Sequence, residues 1–331
     1  MNRILDHLNR SRTVLVVSHV HPDGDAIGAL LAVGLALKAM QKTVCMYNES
    51  PIPAVYRFLS GVGDIVRELE SPEIFDTVVV LDCGDLERIG KAAKILPSQS
   101  VLINIDHHIT NTRFGHLQLI EPEACATAEL VFRLIRSLPV TIDSAMASAI
   151  YTGILTDTGS FRFSNTNQKS FAICAEMIQA GANAYEVAQH VYGTYSLGRI
   201  KLLNLALDSL EISPNGRLSI MTLTQRMMAE TGTRSEDIDG MINYARRIEE
   251  VKVAALIHET GAGAPGGPAG ASHYHVSLRS DGAVDVSQIA ARFGGGGHIN
   301  AAGFSTEATL SQLKQQIINL SETIPGLCTS S

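Results

Sequence analysis

Four short apolar segments near the start of the chain constrain the fold more than any other feature of the sequence. Each is rich in Val, Ile or Leu, and each ends in a polar stretch instead of alternating with polar residues. Continuous apolar strands are typical of parallel sheets that are covered on both faces. With helical segments between them they predict repeated βαβ units, and hence an α/β fold with an N-terminal doubly wound, mostly parallel sheet. The predicted strands are Thr13–Ser18, Thr43–Tyr47, Thr77–Leu81 and Val101–Ile105.

The length of 331 residues predicts two domains, because a single hydrophobic core stops growing at about 250–300 residues. We expect a first domain over 1–190, a linker helix over 191–213 and a smaller α/β domain over 214–331, with an active-site cleft between the two domains. The Gly-, Ala- and Pro-rich segment 259–272 is typical of a flexible hairpin tip. The predicted helices are Ala26–Met40, Thr127–Ser137, Ser144–Leu155, Lys169–Ala180, Ala184–Val191 and Leu197–Leu210.

Charge and composition exclude several classes of function. With 33 acidic and 26 basic residues the net charge is -7, which disfavours long duplex nucleic acid but not a short polyanion held by a few arginines. The five cysteines show no C-x-x-C spacing, so neither a disulfide framework nor a thiolate metal site is indicated. The N-terminus lacks the apolar core of a signal peptide, and the longest uncharged apolar run, Ala26–Leu37, is too short to cross a bilayer. We expect a cytoplasmic protein without a membrane partner.

Acidic and imidazole side chains cluster directly after three of the predicted strands. In an open α/β sheet, ligands bind beyond the carboxyl ends of the strands. Several carboxylates at one such edge repel one another unless a cation lies between them, so a divalent metal site is implied. The residues are His19, His21, Asp23 and Asp25 after the first strand, Asp82 after the third, Asp106, His107 and His108 after the fourth, and Asp157 at the end of a later helix.

The donor set of carboxylates and imidazoles without thiolates predicts which metal binds. It favours an octahedral ion, Mn²⁺ first and then Mg²⁺, Co²⁺ or Fe²⁺, over structural Zn²⁺, and the number of donors suits two ions. The alternative is structural, because an Asp after a strand often only caps a helix, and that applies to Asp25, Asp82 or Asp157 taken singly. The occurrence of all these residues on one predicted sheet favours the metal site.

These motifs resemble those of the DHH phosphoesterase superfamily, which includes RecJ-type exonucleases, family II inorganic pyrophosphatases and small oligoribonucleases (nanoRNases). The resemblance is carried by "HVHPDGDAIG", "DHH" and "TDTG" in the first half of the chain. In the second half, "KVAALIH", "HVSLRS", "DVSQIAARF" and "GGGGHINAAG" are similar to the companion DHHA1 domain. The chain departs from the pattern at Ala29, where relatives commonly have Ser, and in the segment 259–272.

The resemblance implies a residue-by-residue assignment of the metal site. Asp82 is expected to bridge two Mn²⁺ ions, and His108 is expected to contact the scissile phosphate. Asp106 is expected to orient its neighbours, and His21 is expected to lie outside the ligand set. The implied metal ligands are His19, Asp23, Asp25, Asp82, His107 and Asp157.

The glycine-rich stretch of the second domain predicts a substrate site. Glycines let backbone N–H groups approach an anion closely and form a nest, whereas the alternative is that they only make a tight connection between elements. The adjoining histidine and "AAG" favour substrate binding. The predicted substrate-binding residues are Gly295, Gly296, Gly297, His298 and Arg279, with Arg162 of the first domain as a further candidate.

Within the superfamily, the chain resembles the bifunctional oligoribonucleases that also dephosphorylate 3′-phosphoadenosine 5′-phosphate (PAP). This implies two-metal hydrolysis of short RNA or dinucleotides to nucleoside monophosphates, and of PAP to AMP. The alternatives are hydrolysis of cyclic dinucleotides or of linear pApA or pGpG, and a non-catalytic nucleotide-binding regulator. Pyrophosphatase activity is disfavoured because that branch carries a different C-terminal domain. A homodimer is expected only on the general frequency of dimers among soluble enzymes.

Overall fold

The chain forms two compact units, Met1–Thr194 and Tyr195–Ser331, and each contains its own six-stranded sheet. Among the described residues, no helix combines the length and the apolar character that a membrane span requires. The computed structural model describes residues 1–70, 74–193, 195–263, 270–323 and 327.

The sheet of the first unit is parallel throughout, as predicted. Its strands are β1 (Thr13–Ser18), β2 (Thr43–Tyr47), β3 (Ile65–Val66), β4 (Thr77–Leu81), β5 (Val101–Asp106) and β6 (Leu117–Ile120). The spatial order is β3-β2-β1-β4-β5-β6, so the chain reverses its direction of winding between β1 and β4. In doubly wound sheets this switch point is where ligands bind. The sequence patterns did not predict the short edge strands β3 and β6.

Both faces of this sheet are covered, which explains the continuous apolar strands. Val14 and Val16 of β1 pack into the core formed by the helices, whereas Leu15 and Val17 pack on the opposite face. That opposite face is covered by the 3₁₀ segment Leu86–Lys94. The helices are α1 (Asn2–Arg10), α2 (Gly24–Ala39), α3 (Thr127–Arg136), α4 (Ser144–Asp157), α5 (Gln168–Gln179) and α6 (Ala184–Ala188).

The central helix α2 is almost entirely buried and begins two residues before the predicted start at Ala26. The side chain of Asp23 accepts hydrogen bonds from the backbone N–H groups of Asp25 and Ala26, and this N-cap satisfies donors that have no partner inside the helix. A helix that is apolar all round is expected in the interior. Asp23 and Asp25 are predicted metal ligands, so the start of α2 belongs to the predicted metal site.

The second unit has a mixed sheet in the order β11-β12-β10-β9-β8-β7. Only β8 and β9 run parallel to each other, and the other neighbouring strands are antiparallel. The strands are β7 (Glu211–Ile212), β8 (Leu218–Leu223), β9 (Val253–Ala262), β10 (Ser272–Ser280), β11 (Gly296–His298) and β12 (Ala301–Ala308). The helices are α7 (Leu197–Asp208), α8 (Gln225–Thr231), α9 (Ile242–Arg246), α10 (Val286–Ala291) and α11 (Leu310–Thr323).

The segment 259–272 is only partly the hairpin tip that its composition predicts. Strand β9 continues to Ala262 and β10 begins at Ser272, and these two residues are paired. The ladder forms through backbone groups, so a run of small residues does not prevent pairing. Residues 264–269 lie outside the described residues.

Close packing of α2 against α4 predicts that Gly28→Ala destabilises the protein. A Cβ atom at Gly28 would lie 2.3 Å from the carbonyl oxygen of Ala149 and 3.0 Å from the backbone nitrogen of Gly153. Because both are backbone atoms, the helices have to separate, and we expect a loss of about 1–3 kcal/mol in the free energy of unfolding, the usual cost of overpacking. Urea unfolding of the full chain measures it.

The matched control is Gly63→Ala. Gly63 is exposed, and a Cβ atom there would have no atom within 4 Å, so we expect a change of less than about 0.5 kcal/mol. Equal effects of the two substitutions would contradict the tight α2–α4 contact.

Candidate metal centre

Three adjacent strands deliver the candidate ligands to one edge of the parallel sheet. His19 follows β1, Asp82 follows β4, and His107 follows β5. Asp25 lies in the first turn of α2, and Asp157 is the last residue of α4. Because β1, β4 and β5 are neighbours and run parallel, their carboxyl ends meet at this edge. The structure thus brings together side chains that are far apart in the sequence.

The first group of donors consists of His19, Asp23 and Asp82. The Nε2 atom of His19 lies 3.4 Å from Oδ2 of Asp82 and 3.9 Å from Oδ1 of Asp23. The Nδ1 atom of His19 lies 2.9 Å from the carbonyl oxygen of Val20. A carbonyl only accepts hydrogen bonds, so this contact places the proton on Nδ1 and leaves Nε2 free to bind a metal ion.

The second group consists of Asp25, His107 and Asp157. The Nε2 atom of His107 lies 3.6 Å from Oδ2 of Asp157 and 4.0 Å from Oδ2 of Asp25. Its Nδ1 atom lies 3.2 Å from the carbonyl oxygen of Ala124. As with His19, this contact assigns the proton to Nδ1 and presents Nε2 to the group.

Asp82 belongs to the surroundings of both groups. Its Oδ2 atom faces His19, as described above, while its Oδ1 atom lies 3.8 Å from Nε2 of His107. The residue has a φ of 58°, a left-handed conformation that Asp adopts more readily than most residues. Its backbone N–H still donates to the carbonyl of Ile105 on β5. The chain therefore leaves the strand sharply, and one carboxylate presents an oxygen to each group.

The distances between the donors fit divalent cations. Two ligands at about 2.1 Å from an octahedral ion are about 3.0 Å apart when adjacent and about 4.2 Å apart when opposite. The imidazole–carboxylate distances within and between the groups, 3.4 to 4.0 Å, are all shorter than the larger of these two values, so one ion can reach both donors of each pair. The donor set holds carboxylates and imidazoles without thiolates, which suits Mn²⁺ or Mg²⁺ better than a structural zinc ion.

The electrostatics of the site also favour a cation. Burial, followed by the charges of Asp82 and Asp157, raises the pKa of Asp25 well above its usual value. Burial raises the pKa of Asp157 to about 7 against the opposing charge of His107. Both shifts show that the fold brings negative charges together out of water, which is unfavourable without a compensating positive charge.

Several supporting residues escaped the sequence analysis. The segment 124–128 contacts Asp25, Asp82 and His107 through its backbone and the Thr127 hydroxyl. The side-chain amide of Asn165 donates to the backbone carbonyl of Asp157 at 3.1 Å and to its Oδ2 atom at 3.2 Å. Neither feature matches a ligand spacing, and the only signal in the sequence is that Asn165 closely follows "TDTG".

His108 forms a third group of donors with Asp82 and His107 and is held by Asp106. Its Nδ1 atom is 2.7 Å from Oδ1 of Asp106, whose Oδ2 atom accepts from the amide of Asn111. Burial alone lowers the pKa of His108, but the hydrogen bond with Asp106 and the charge of Asp82 outweigh it and raise the pKa to about 9. The hydrogen bond with Asp106 therefore favours the cationic form of the imidazole. His21 is exposed and belongs to none of these groups.

The predicted substrate-binding residues lie in both units. Arg162 is exposed on the turn after Asp157, and its Nε atom donates to the carbonyl of Gly159. Arg279 lies half-buried on β10, where burial and the nearby Arg246 lower the pKa of its guanidinium.

The glycine-rich stretch forms strand β11 and its approach. A Cβ atom at Gly295 would lie 2.2 Å from the carbonyl oxygen of Gly303, and one at Gly297 would lie 2.5 Å from that of Ala301. These two glycines therefore allow close packing against β12, which is the structural alternative considered for the sequence. The position of Gly296 is open, with no atom within 4 Å of a Cβ there. The side chain of His298 lies outside the described residues.

Comparison with known proteins agrees with these motifs. Residues 13–154 match the N-terminal domain of the DHH family, and residues 219–325 match the DHHA1 domain. The bifunctional oligoribonuclease and PAP phosphatase NrnA of Thermus thermophilus is 33% identical over 88% of this chain and 83% of its own length. The protein of the same name in Bacillus subtilis is 26% identical over 88% of this chain and 89% of its own length.

A solved structure is similar over both units. It is the crystal structure of an exopolyphosphatase-related protein from Bacteroides fragilis, which matches with a TM-score of 0.89 at 28% identity and covers 98% of this chain and 97% of that one. The motifs, the α/β fold and the identity to the Thermus protein together show that the chain belongs to the DHH family and carries a DHHA1 domain after its N-terminal DHH domain.

Proposed function

We propose that this protein is a metal-dependent phosphoesterase that hydrolyses very short oligoribonucleotides to nucleoside monophosphates, and PAP to AMP. The observation that carries the proposal is the position of Asp82, whose two carboxylate oxygens face two separate groups of donors. The choice of substrate is supported by the names of the Thermus and Bacillus relatives, which extend over most of the chain.

In this proposal, the two groups hold two Mn²⁺ ions, with Mg²⁺ or Co²⁺ as substitutes. His19 and Asp23 would hold one ion, Asp25, His107 and Asp157 would hold the other, and Asp82 would contribute to both. When bound, such ions polarise a phosphoryl oxygen and lower the pKa of a bound water molecule to about 7. The protein contributes the orientation of the donors, because both imidazoles are held by backbone carbonyls that leave Nε2 facing the site.

His108 is proposed to bind the reacting phosphate. Its side chain is 22% exposed, and Asp106 holds Nδ1. A cationic imidazole in this position donates to a phosphate oxygen and stabilises the negative charge that develops there. Asp106 is fully buried and carries the opposite charge, so it keeps the ring oriented and protonated.

The remaining substrate contacts are proposed from the sequence motifs. Arg162, Arg279 and His298 are proposed to bind phosphate or base, and Gly295–Gly297 to allow the substrate to approach the backbone. A few such contacts suit a short substrate, and the net charge of -7 disfavours a long one. The domain limits 1–190, 191–213 and 214–331, the cytoplasmic location and the homodimer stay predictions.

A panel of substrates with Mn²⁺ tests the proposal. We expect turnover of linear pApA and of PAP, because both carry a phosphoester at the 3′ oxygen of a nucleoside 5′-phosphate. Faster turnover of cyclic di-AMP would favour the cyclic dinucleotide alternative. Inorganic pyrophosphate as the best substrate, or tight nucleotide binding without any turnover, would overturn the proposal.

Metal binding should stabilise the protein against unfolding. The buried carboxylates repel one another without a cation, so an ion that binds only the folded state adds stability by mass action, about 2.7 kcal/mol at a concentration one hundredfold above its Kd. We expect Mn²⁺ to raise the melting temperature and EDTA to reverse the shift, measured by differential scanning fluorimetry. A melting temperature that does not respond to Mn²⁺, Mg²⁺ or Co²⁺ would contradict the metal site.

Replacement of Asp82 should abolish hydrolysis without unfolding the protein. Asp82→Asn keeps the size of the side chain but removes the charge shared by the two groups, so we expect kcat for pApA to fall by more than about 10³-fold, equivalent to about 4 kcal/mol. The control is Asp85→Asn, which lies three residues further on, caps the following 3₁₀ segment and belongs to neither group. Full activity of Asp82→Asn would mean that the site is assigned wrongly.

A further inference from the structure

The segment 124–128 lies outside the ligand motifs of the sequence, yet it contacts three of the candidate ligands. The carbonyl of Ala124 accepts from Nδ1 of His107 at 3.2 Å. The backbone N–H groups of Thr127 and Ala128 donate to the two carboxylate oxygens of Asp25, at 2.6 and 2.8 Å. The hydroxyl of Thr127 donates to Oδ1 of Asp82 at 2.9 Å. One short segment therefore contacts an imidazole and two carboxylates of the site.

The contact with Asp25 replaces the missing cap of a helix. Thr127 is the first residue of α3, and the preceding Ala126 has no side chain that could accept a hydrogen bond from the first turn. The first N–H groups of a helix have no partner inside it, and Asp25 accepts two of them from 102 and 103 residues away in the chain. Both oxygens of this carboxylate are thereby oriented.

The hydroxyl of Thr127 orients the shared carboxylate in the same way. The terminal torsion of an Asp side chain has a broad energy minimum, so the carboxylate of Asp82 needs contacts to hold its plane. Thr127 has no solvent exposure, and its hydroxyl donates to the same Oδ1 atom that faces His107. Of the two lone pairs on that oxygen, one accepts from Thr127 and the other remains for an ion.

We propose that Thr127 is a positioning residue for the two-metal site, because it holds Asp25 through its backbone N–H and Asp82 through its hydroxyl. The inference rests on the metal site of the proposed function and adds a residue that the ligand motifs do not contain. Thr127 is not one of the proposed ligands and acts through Asp25 and Asp82. Loss of the Thr127 hydroxyl is expected to weaken the binding of the ion near His107 more than the binding of the ion near His19. The reason is that the hydroxyl donates only to Oδ1 of Asp82, the atom that faces His107.

The test compares Thr127→Val with Thr127→Ser in the full-length protein. Valine preserves the shape and the backbone N–H but removes the hydroxyl, and serine restores the hydroxyl. Titration of free Mn²⁺, followed by electron paramagnetic resonance without substrate, gives the number of ions bound and the affinity of each. We expect Thr127→Val to lower the affinity of one of the two ions by about 10–100-fold, a typical effect of residues that orient metal ligands, and Thr127→Ser to bind as the wild type does.

The matched control is Thr152→Val. Thr152 is equally buried in the same unit, but its hydroxyl donates to the carbonyl of Ser148 within α4. We expect it to leave both Mn²⁺ affinities unchanged. If Thr127→Val does not reach the folded state, Thr127→Ala and Thr127→Ser make the same comparison, because they differ only in the hydroxyl.

The outcomes separate this inference from the proposed function. Wild-type protein that binds two Mn²⁺ ions, together with a Thr127→Val variant of equal affinity for both, would overturn the role of Thr127 and leave the metal site intact. Wild-type protein that binds no Mn²⁺ at all would overturn the metal site itself and this inference with it. A lower affinity of Thr127→Val for one of the two Mn²⁺ ions, with activity recovered by raising the Mn²⁺ concentration, supports the positioning role.

Discussion

The mutual repulsion of carboxylates at one buried edge of the sheet governs the architecture of the first unit. Asp25 and Asp82 are each at most 2% exposed, and Asp157 lies beside His107 in the same cluster. Each buried charge is unfavourable unless it is paired or hydrogen-bonded. The fold compensates with the first turn of α3, which donates to Asp25, and with the Thr127 hydroxyl, which donates to Asp82. In the proposed function a pair of bound cations would complete this compensation, so stability and activity would depend on the same groups.

The parallel topology explains why residues so far apart in the chain meet. A strand order in which β1 lies beside β4, and β4 beside β5, places the ends of three strands side by side although they are separated by long connections. Each of these connections crosses over a face of the sheet, so all three strands point the same way. The candidate ligand that follows each strand then needs only a sharp turn, such as the left-handed conformation of Asp82, to face the other donors.

The sequence predicted the elements whose signals are local. The bounds of β1, β2 and β4 agree with the prediction to the residue, because each is a short apolar run between polar turns. Strand β5 extends one residue further, since Asp106 is still paired with Ile120 of β6. The supporting contacts of the site were not predictable in this way. The bond between Thr127 and Asp25 joins residues 102 positions apart, and only the folded topology brings them together.

The carboxylate of Asp25 shows how one side chain serves the fold and the site without conflict. Each of its oxygens accepts one backbone N–H from the start of α3, and a carboxylate oxygen has two lone pairs. One lone pair on each oxygen therefore remains for a cation. The positive end of the helix dipole also favours the ionised form, which opposes the effect of burial. Helix α3 thus obtains the cap that Ala126 lacks, and the candidate metal site obtains a carboxylate whose direction is set by the backbone.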